Sequence, residues 1–145
     1  MWHGVGVAPP TTTQDDPTDD RVLHPPTGGW PVRVTAEGLH GRGVVTTRPV
    51  ASGETCEVAA LMLVPDDADL GGFDHVFDVA GGSGIAGGVV SFANHSYAPN
   101  CAYDIDSDAL VVTLYALVDL AAGTEVLVNY NGDPSCTEPL WFEQA

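Results

Sequence analysis

Glycine punctuates this chain too often, and its apolar runs are too short, for a helical fold. From Trp30 onward, "TCEVAALMLV" (55–64), "VVSFA" (89–93), "ALVVTLYALV" (109–118) and "VLVNY" (126–130) read as strands with turn-forming segments between them. Helical periodicity is almost absent, so the sequence predicts a mainly β domain. The 17 glycines and 11 prolines among 145 residues point the same way. "VRV" (32–34) reads as a short strand, "GLHGRGVVTTRPV" (38–50) as a glycine-rich turn running into another, and "ASGE" (51–54) as a turn. Pro65 with Asp66, Asp67 and Asp69 interrupts the pattern. "FDHVFDV" (73–79) fits a strand or a helical turn or two equally well, and "AGGSGIAGG" (80–88) reads as loop.

One internal echo stands out. "VASGETCEV" (50–58) and "LAAGTEVLV" (120–128) share an apolar–Ala–small–Gly–polar plan. A glycine at the same place in both units predicts a tight turn with positive φ, and two such units predict a pseudo-symmetric core. Residues 1–29 are rich in Pro, Thr and Asp and poor in large apolar groups, which predicts a flexible acidic tail ahead of one domain over residues 30–145.

Twenty acidic residues face four arginines and no lysine, for a net charge of -16. Such a surface cannot neutralise phosphates, which excludes nucleic acid and anionic membrane as partners. It suits a basic partner such as a lysine-rich peptide, and equally serves solubility. Cys56, Cys101 and Cys136 form no C-x-x-C, so free thiols in a reducing cytoplasm are expected, with no metal site. The N-terminus lacks the basic and apolar regions of a signal peptide, and the longest apolar run, 109–118, is too short to span a membrane. A cytoplasmic protein is expected. Neither a heptad nor an exposed apolar stripe is evident; the oligomeric state stays open, a dimer included.

Three segments carry chemistry: "GRGVVTTRPVASGE" (41–54), "FANHSYAPNC" (92–101) and "YALVDLAAGTEVLVNY" (115–130). Their order and spacing resemble the SET domain of protein-lysine methyltransferases, over about residues 32–142. The layout is most similar to minimal viral and bacterial members without zinc-binding flanks. The resemblance implies a β-clip fold with a threaded C-terminal segment and little helix. It also implies methyl transfer from S-adenosyl-L-methionine to a lysine amine of a basic protein.

Residue by residue, the resemblance gives Gly41, Arg42, Gly43, Asn94, His95 and Trp141 to the cofactor site. Tyr130 becomes the residue that orients the amine. A channel for a lysine stem needs aromatic or aliphatic walls, for which Phe92, Tyr97, Tyr103 and Tyr115 are the candidates by residue type. Read on its own chemistry, an Asn amide both donates and accepts, so Asn94 can bind a ligand edge or fix a loop. Pro99-Asn100 reads as the turn leaving this segment. Three positions depart from the family pattern: Tyr97 stands where a Cys is usual, Asn129 where an Asp is frequent, and Val128 where an aromatic is frequent. Tyr97 and Asn129 favour the alternative of a non-catalytic module that docks basic peptides on the same fold.

Overall fold

The computed structural model describes residues 25–65, 75–80 and 82–140. Most of the predicted tail, the acidic break at 66–69 and Trp141 lie outside the described residues. Among the described residues nine strands form three sheets, and the mainly β expectation holds. Strands β1 (Val32–Gly38) and β2 (Gly41–Thr46) make an antiparallel hairpin. The main sheet, in the order β4-β5-β3-β8-β7, is antiparallel throughout. Its members are β3 (Thr55–Val64), β4 (Phe77–Val79), β5 (Gly82–Ala86), β7 (Cys101–Asp106) and β8 (Val111–Ala116). The third is a short parallel pair, β6 (Asn94–His95) with β9 (Leu127–Val128).

Strand alternation decides which side chains make the core. Cys101, Tyr103 and Ile105 on β7 and Val112, Leu114 and Ala116 on β8 face inward and are buried. Phe77 packs its ring edge-on against Tyr103 with centroids 5.4 Å apart. Val44, Val50, Val126 and Val128 belong to the same cluster, and Trp30 packs against it. All three cysteines are free thiols. Cys56 and Cys101 are both buried, and the influence of Cys56 first, with burial second, pushes the Cys101 thiol up.

The sequence echo is a structural pseudo-symmetry. Gly53 and Gly123 both adopt positive φ, +83° and +78°. Val50 and Leu120 exchange two backbone bonds of 2.9 and 2.8 Å, joining the units where they begin. The step from Val50 to Leu120, seventy positions, carries the other bonds onto their counterparts. Gly53 N–H donates to Ala116 and Gly123 N–H to Thr46, while Ala116 and Thr46 donate to Glu54 and Thr124.

Three expectations are corrected. The predicted loop at 80–88 contains β5, because backbone pairing to β3 and β4 outweighs the poor strand propensity of glycine. Cys101–Asp106, not singled out as a strand, is the edge strand β7. "VVSFA", predicted as a strand, is a 3-10 turn over Val89–Phe92.

A buried acid explains that turn. Glu57, inward on β3 and 6 % exposed, accepts from Val89 N–H at 3.1 Å and Val90 N–H at 3.0 Å. These donors open the turn and have no partner within it. Gly88 is required, since a Cβ there would stand 2.5 Å from a Glu57 oxygen. Burial pushes the Glu57 carboxyl up, and the bonds from Val90 and Val89 hold it back.

Glu57→Ala should cost about 2–4 kcal/mol, because two buried donors lose their acceptor. The raised carboxyl means that the folded chain holds this proton more tightly than the unfolded chain. The stability of wild type minus that of Glu57→Gln should therefore fall as pH rises out of the ordinary carboxylate range, then level off. Urea unfolding of both proteins between about pH 4 and 7 measures it.

Candidate functional site

The hairpin β1–β2 ends at one mouth of a cavity of about 520 Å³ lined by His40, Arg42, His75, Phe92, Asn94 and Tyr130. Four of these were singled out from the sequence: Arg42, Phe92, Asn94 and Tyr130. They come from segments far apart in the chain, and the parallel β6–β9 pair brings two of them together. Asn94 pairs with Leu127 and His95 with Val128, which sets Tyr130 just beyond the end of β9. Asn100 locks the register by donating to the Glu125 carbonyl at 2.8 Å and accepting from Leu127 N–H at 2.9 Å.

Tyr130 is held at both ends. Its backbone N–H donates to His95 Nδ1 at 3.1 Å, and its hydroxyl donates to the Ala93 carbonyl at 2.7 Å. The His95 ring lies 5.2 Å from the Tyr130 ring. His95 thus braces Tyr130 from behind and is not among the cavity's lining residues. On the facing wall, the Arg42 guanidinium sits 5.3 Å from the Phe92 ring centroid, a cation–π arrangement. His75 Nδ1 bonds the Ser91 carbonyl at 2.9 Å, fixing the imidazole beside the 3-10 turn that carries Phe92.

Asn94 uses its amide donors to fix a loop. Its Nδ2 donates to Glu125 Oε2 at 2.8 Å and to the Arg42 carbonyl at 3.2 Å. The other Glu125 oxygen accepts from Leu39 N–H at 2.7 Å. This junction also explains the glycines. A Cβ on Gly43 would come within 2.8 Å of Glu125 Oε2 and 2.9 Å of Asn94 Nδ2, and Gly38 is nearly as tight. Gly41 differs: its surroundings are open, and its φ of +98° is what calls for glycine. At Gly43 the close approach that calls for glycine is therefore an approach to protein groups.

The other described channel candidates, Tyr97, Tyr103 and Tyr115, do not line the cavity. Tyr103 is a core residue, 2 % exposed, because β7 alternation turns it inward. Tyr115 lies on the opposite, outward face of the sheet, level with Ala102. Tyr97 packs edge-on against His95, 4.4 Å between centroids, and donates to the Glu138 carbonyl at 3.2 Å. The buried Asn129 donates from Nδ2 to the Cys136 carbonyl at 2.6 Å and accepts from Asn131 N–H at 3.0 Å.

Sequence reasoning missed Glu125, His40 and His75. Glu125 carried a signal, as the lone acid inside the apolar run "GTEVLV". The histidines carried none, since each joins the site only through chain folding.

Residues 41–131 match the SET domain family. A histone methyltransferase candidate from Plasmodium falciparum shares the fold with a TM-score of 0.61 at 17% identity, covering 72% of this chain and 96% of its own. Polycomb repressive complex 2 of Chaetomium thermophilum gives 0.57 at 19% identity, over 75% of this chain and 16% of that one. The same complex in an autoinhibited conformation bound to S-adenosylmethionine gives 0.57 at 18%, over 70% and 15%. The match thus spans nearly all of the first solved chain and a small part of the polycomb chain. No curated protein matches it.

Glu125→Ala should destabilise the fold by about 2–4 kcal/mol, since two charge-assisted bonds are lost. Amide exchange at Leu39 should accelerate more than exchange in β8, as hydrogen exchange followed by NMR would show. Equal acceleration everywhere would mean that Glu125 is not a local clamp.

Proposed function

The chain belongs to the SET-domain family, and on that premise we propose that it transfers a methyl group from S-adenosyl-L-methionine to the side-chain amine of lysine in a basic protein. One observation carries the reading: Tyr130, Asn94, Arg42 and Phe92 converge on a cavity whose volume is in the range of small-molecule sites. The lining suits a zwitterionic amino acid joined to an aromatic base. It offers a guanidinium for a carboxylate, an aromatic ring, a phenol and imidazoles. Arg42 would hold the carboxylate, and Phe92 with the 41–43 turn would flank the remainder. S-adenosylmethionine supplies a methyl carbon bonded to a positively charged sulfur.

The protein's own part is orientation and exclusion of water. With its proton directed at the Ala93 carbonyl, the Tyr130 oxygen serves an incoming amine as a hydrogen-bond acceptor. A phenol whose reference pKa is about 10 is a poor general base at neutral pH, so Tyr130 aligns the amine without deprotonating it. The net charge of -16 favours approach of a basic acceptor. The chain has no lysine, so the acceptor amine must come from another molecule.

Calorimetry should show saturable binding of S-adenosylmethionine, and labelled methyl should pass to an added lysine-bearing basic peptide. Tyr130→Phe should keep cofactor affinity within about threefold and lower turnover about 100-fold. Arg42→Ala should weaken cofactor binding about tenfold. Peptide binding without any heat from S-adenosylmethionine would select the non-catalytic module instead.

A further inference from the structure

The main sheet has a second face, turned away from the core, and its chemistry is unlike that of an ordinary solvated sheet. A half-solvated strand alternates apolar and polar residues, whereas β3 is apolar on both sides over most of its length. Register places Val58, Ala60 and Met62 outward, Met62 directly opposite Ile85 of β5, and Val58 and Ala60 opposite Thr113 and Val111 of β8. Met62 is 58% exposed and Ala60 is exposed as well. An apolar stripe that the sequence did not reveal therefore runs along the middle of the face, because only register tells which alternate residues point out.

Charge borders this stripe on both edges. Asp78 of β4 pairs with Ser83, and Asp104 and Asp106 of β7 pair with Thr113 and Val111. All three carboxylates therefore share the outward face with Met62. Tyr115 stands beside Asp104; burial, and then that carboxylate, push its phenol up. Four inter-strand steps separate β4 from β7, roughly 19 Å at about 4.8 Å each.

We propose that this face docks an amphipathic basic helix of a partner protein, apolar along one stripe and bearing Arg or Lys on both margins. A helix about 10–12 Å across fits between the two acidic edges, with long basic side chains reaching out to each. A second copy of this chain is a poor occupant, since each copy carries a charge of -16. The surface lies apart from the cavity, whose lining comes from β2, the 3-10 turn and the segments around His75, Asn94 and Tyr130.

The test uses the full chain and a labelled helical peptide of about 18 residues, Leu along one stripe and Arg on the margins. Without lysine, the peptide cannot accept a methyl group, so the result is independent of methyl transfer. The control is a scrambled peptide of identical composition and charge. Fluorescence anisotropy should give at least tenfold tighter binding of the amphipathic peptide. Met62→Ser, with or without Ile85→Ser, should remove that difference and leave binding of the scrambled peptide unchanged. Asp78→Asn with Asp104→Asn should weaken the amphipathic peptide about tenfold at low salt. Equal affinity for the two peptides, or indifference to either set of substitutions, would overturn the proposal. So would sedimentation showing that the wild-type chain pairs with itself and that Met62→Ser abolishes the pairing.

Discussion

One carboxylate, that of Glu125, holds the candidate site together. Its two oxygens reach two different segments, Leu39 in the β1–β2 connection and Asn94 at the start of β6, while its own backbone bridges to Val45 of β2. Both bonds are charge-assisted, and the one from Asn94 is also partly shielded from water, where such bonds are strongest. Everything near the junction is shaped around it. Gly38 and Gly43 leave no room for a Cβ, the Arg42 carbonyl turns toward Asn94, and the Arg42 side chain is thereby presented to the cavity and to Phe92. The same junction fixes β6, whose preceding residue supplies the carbonyl that anchors the Tyr130 hydroxyl. An acid outside the cavity lining thus determines where three of its lining residues stand.

The scaffold beneath the site is nearly symmetric. The two strand–turn–strand units are related bond for bond, with Cys56 and Val126 buried at equivalent places. Chemistry enters where the equivalence breaks. Glu125 occupies the position that Thr55 holds in the first unit, and it alone reaches into the hairpin. Glu57 answers it from the other unit by capping the turn that carries Phe92. Two glutamates, each binding a pair of donors, lock the two walls of one cavity onto a nearly symmetric frame.

What the sequence disclosed follows from how local each interaction is. The extent of β3 was legible because ten residues of it are apolar or β-branched with few interruptions, and the echoed turns because positive φ leaves a glycine behind. The strand at Gly82–Ala86 was hidden because its stability comes from neighbours on both sides and not from its own glycines. The turn at Val89–Phe92 was misread as a strand because its cause, Glu57, sits thirty-odd residues away. The site divides in the same way. Tyr130, Asn94 and Arg42 lie in segments with a recognisable pattern, while His40 and His75 are brought to the cavity by tertiary geometry. Tyr103 and Tyr115 were placed in a channel on residue type alone, and strand parity sends one to the core and the other to the far face.

Two of the three departures from the family pattern, Tyr97 and Asn129, have a common physical cause. Both act on the segment that follows Tyr130: Tyr97 binds the Glu138 carbonyl, Asn129 binds the Cys136 carbonyl, and Asn131 adds a second bond to Glu138 at 3.0 Å. Each acceptor is a backbone oxygen, so each partner must donate. An Asp at 129 would offer only oxygens at neutral pH and would face the Cys136 carbonyl with like charge. A Cys at 97 would be too short to reach Glu138 and would leave the His95 ring without its edge-on neighbour. The amide and the phenol therefore belong together, as two donors that hold residues 136–138 in place, the phenol ring itself packing on His95. Because His95 in turn receives the Tyr130 N–H, the departures sit behind the candidate site and support it, and neither removes a group from the cavity.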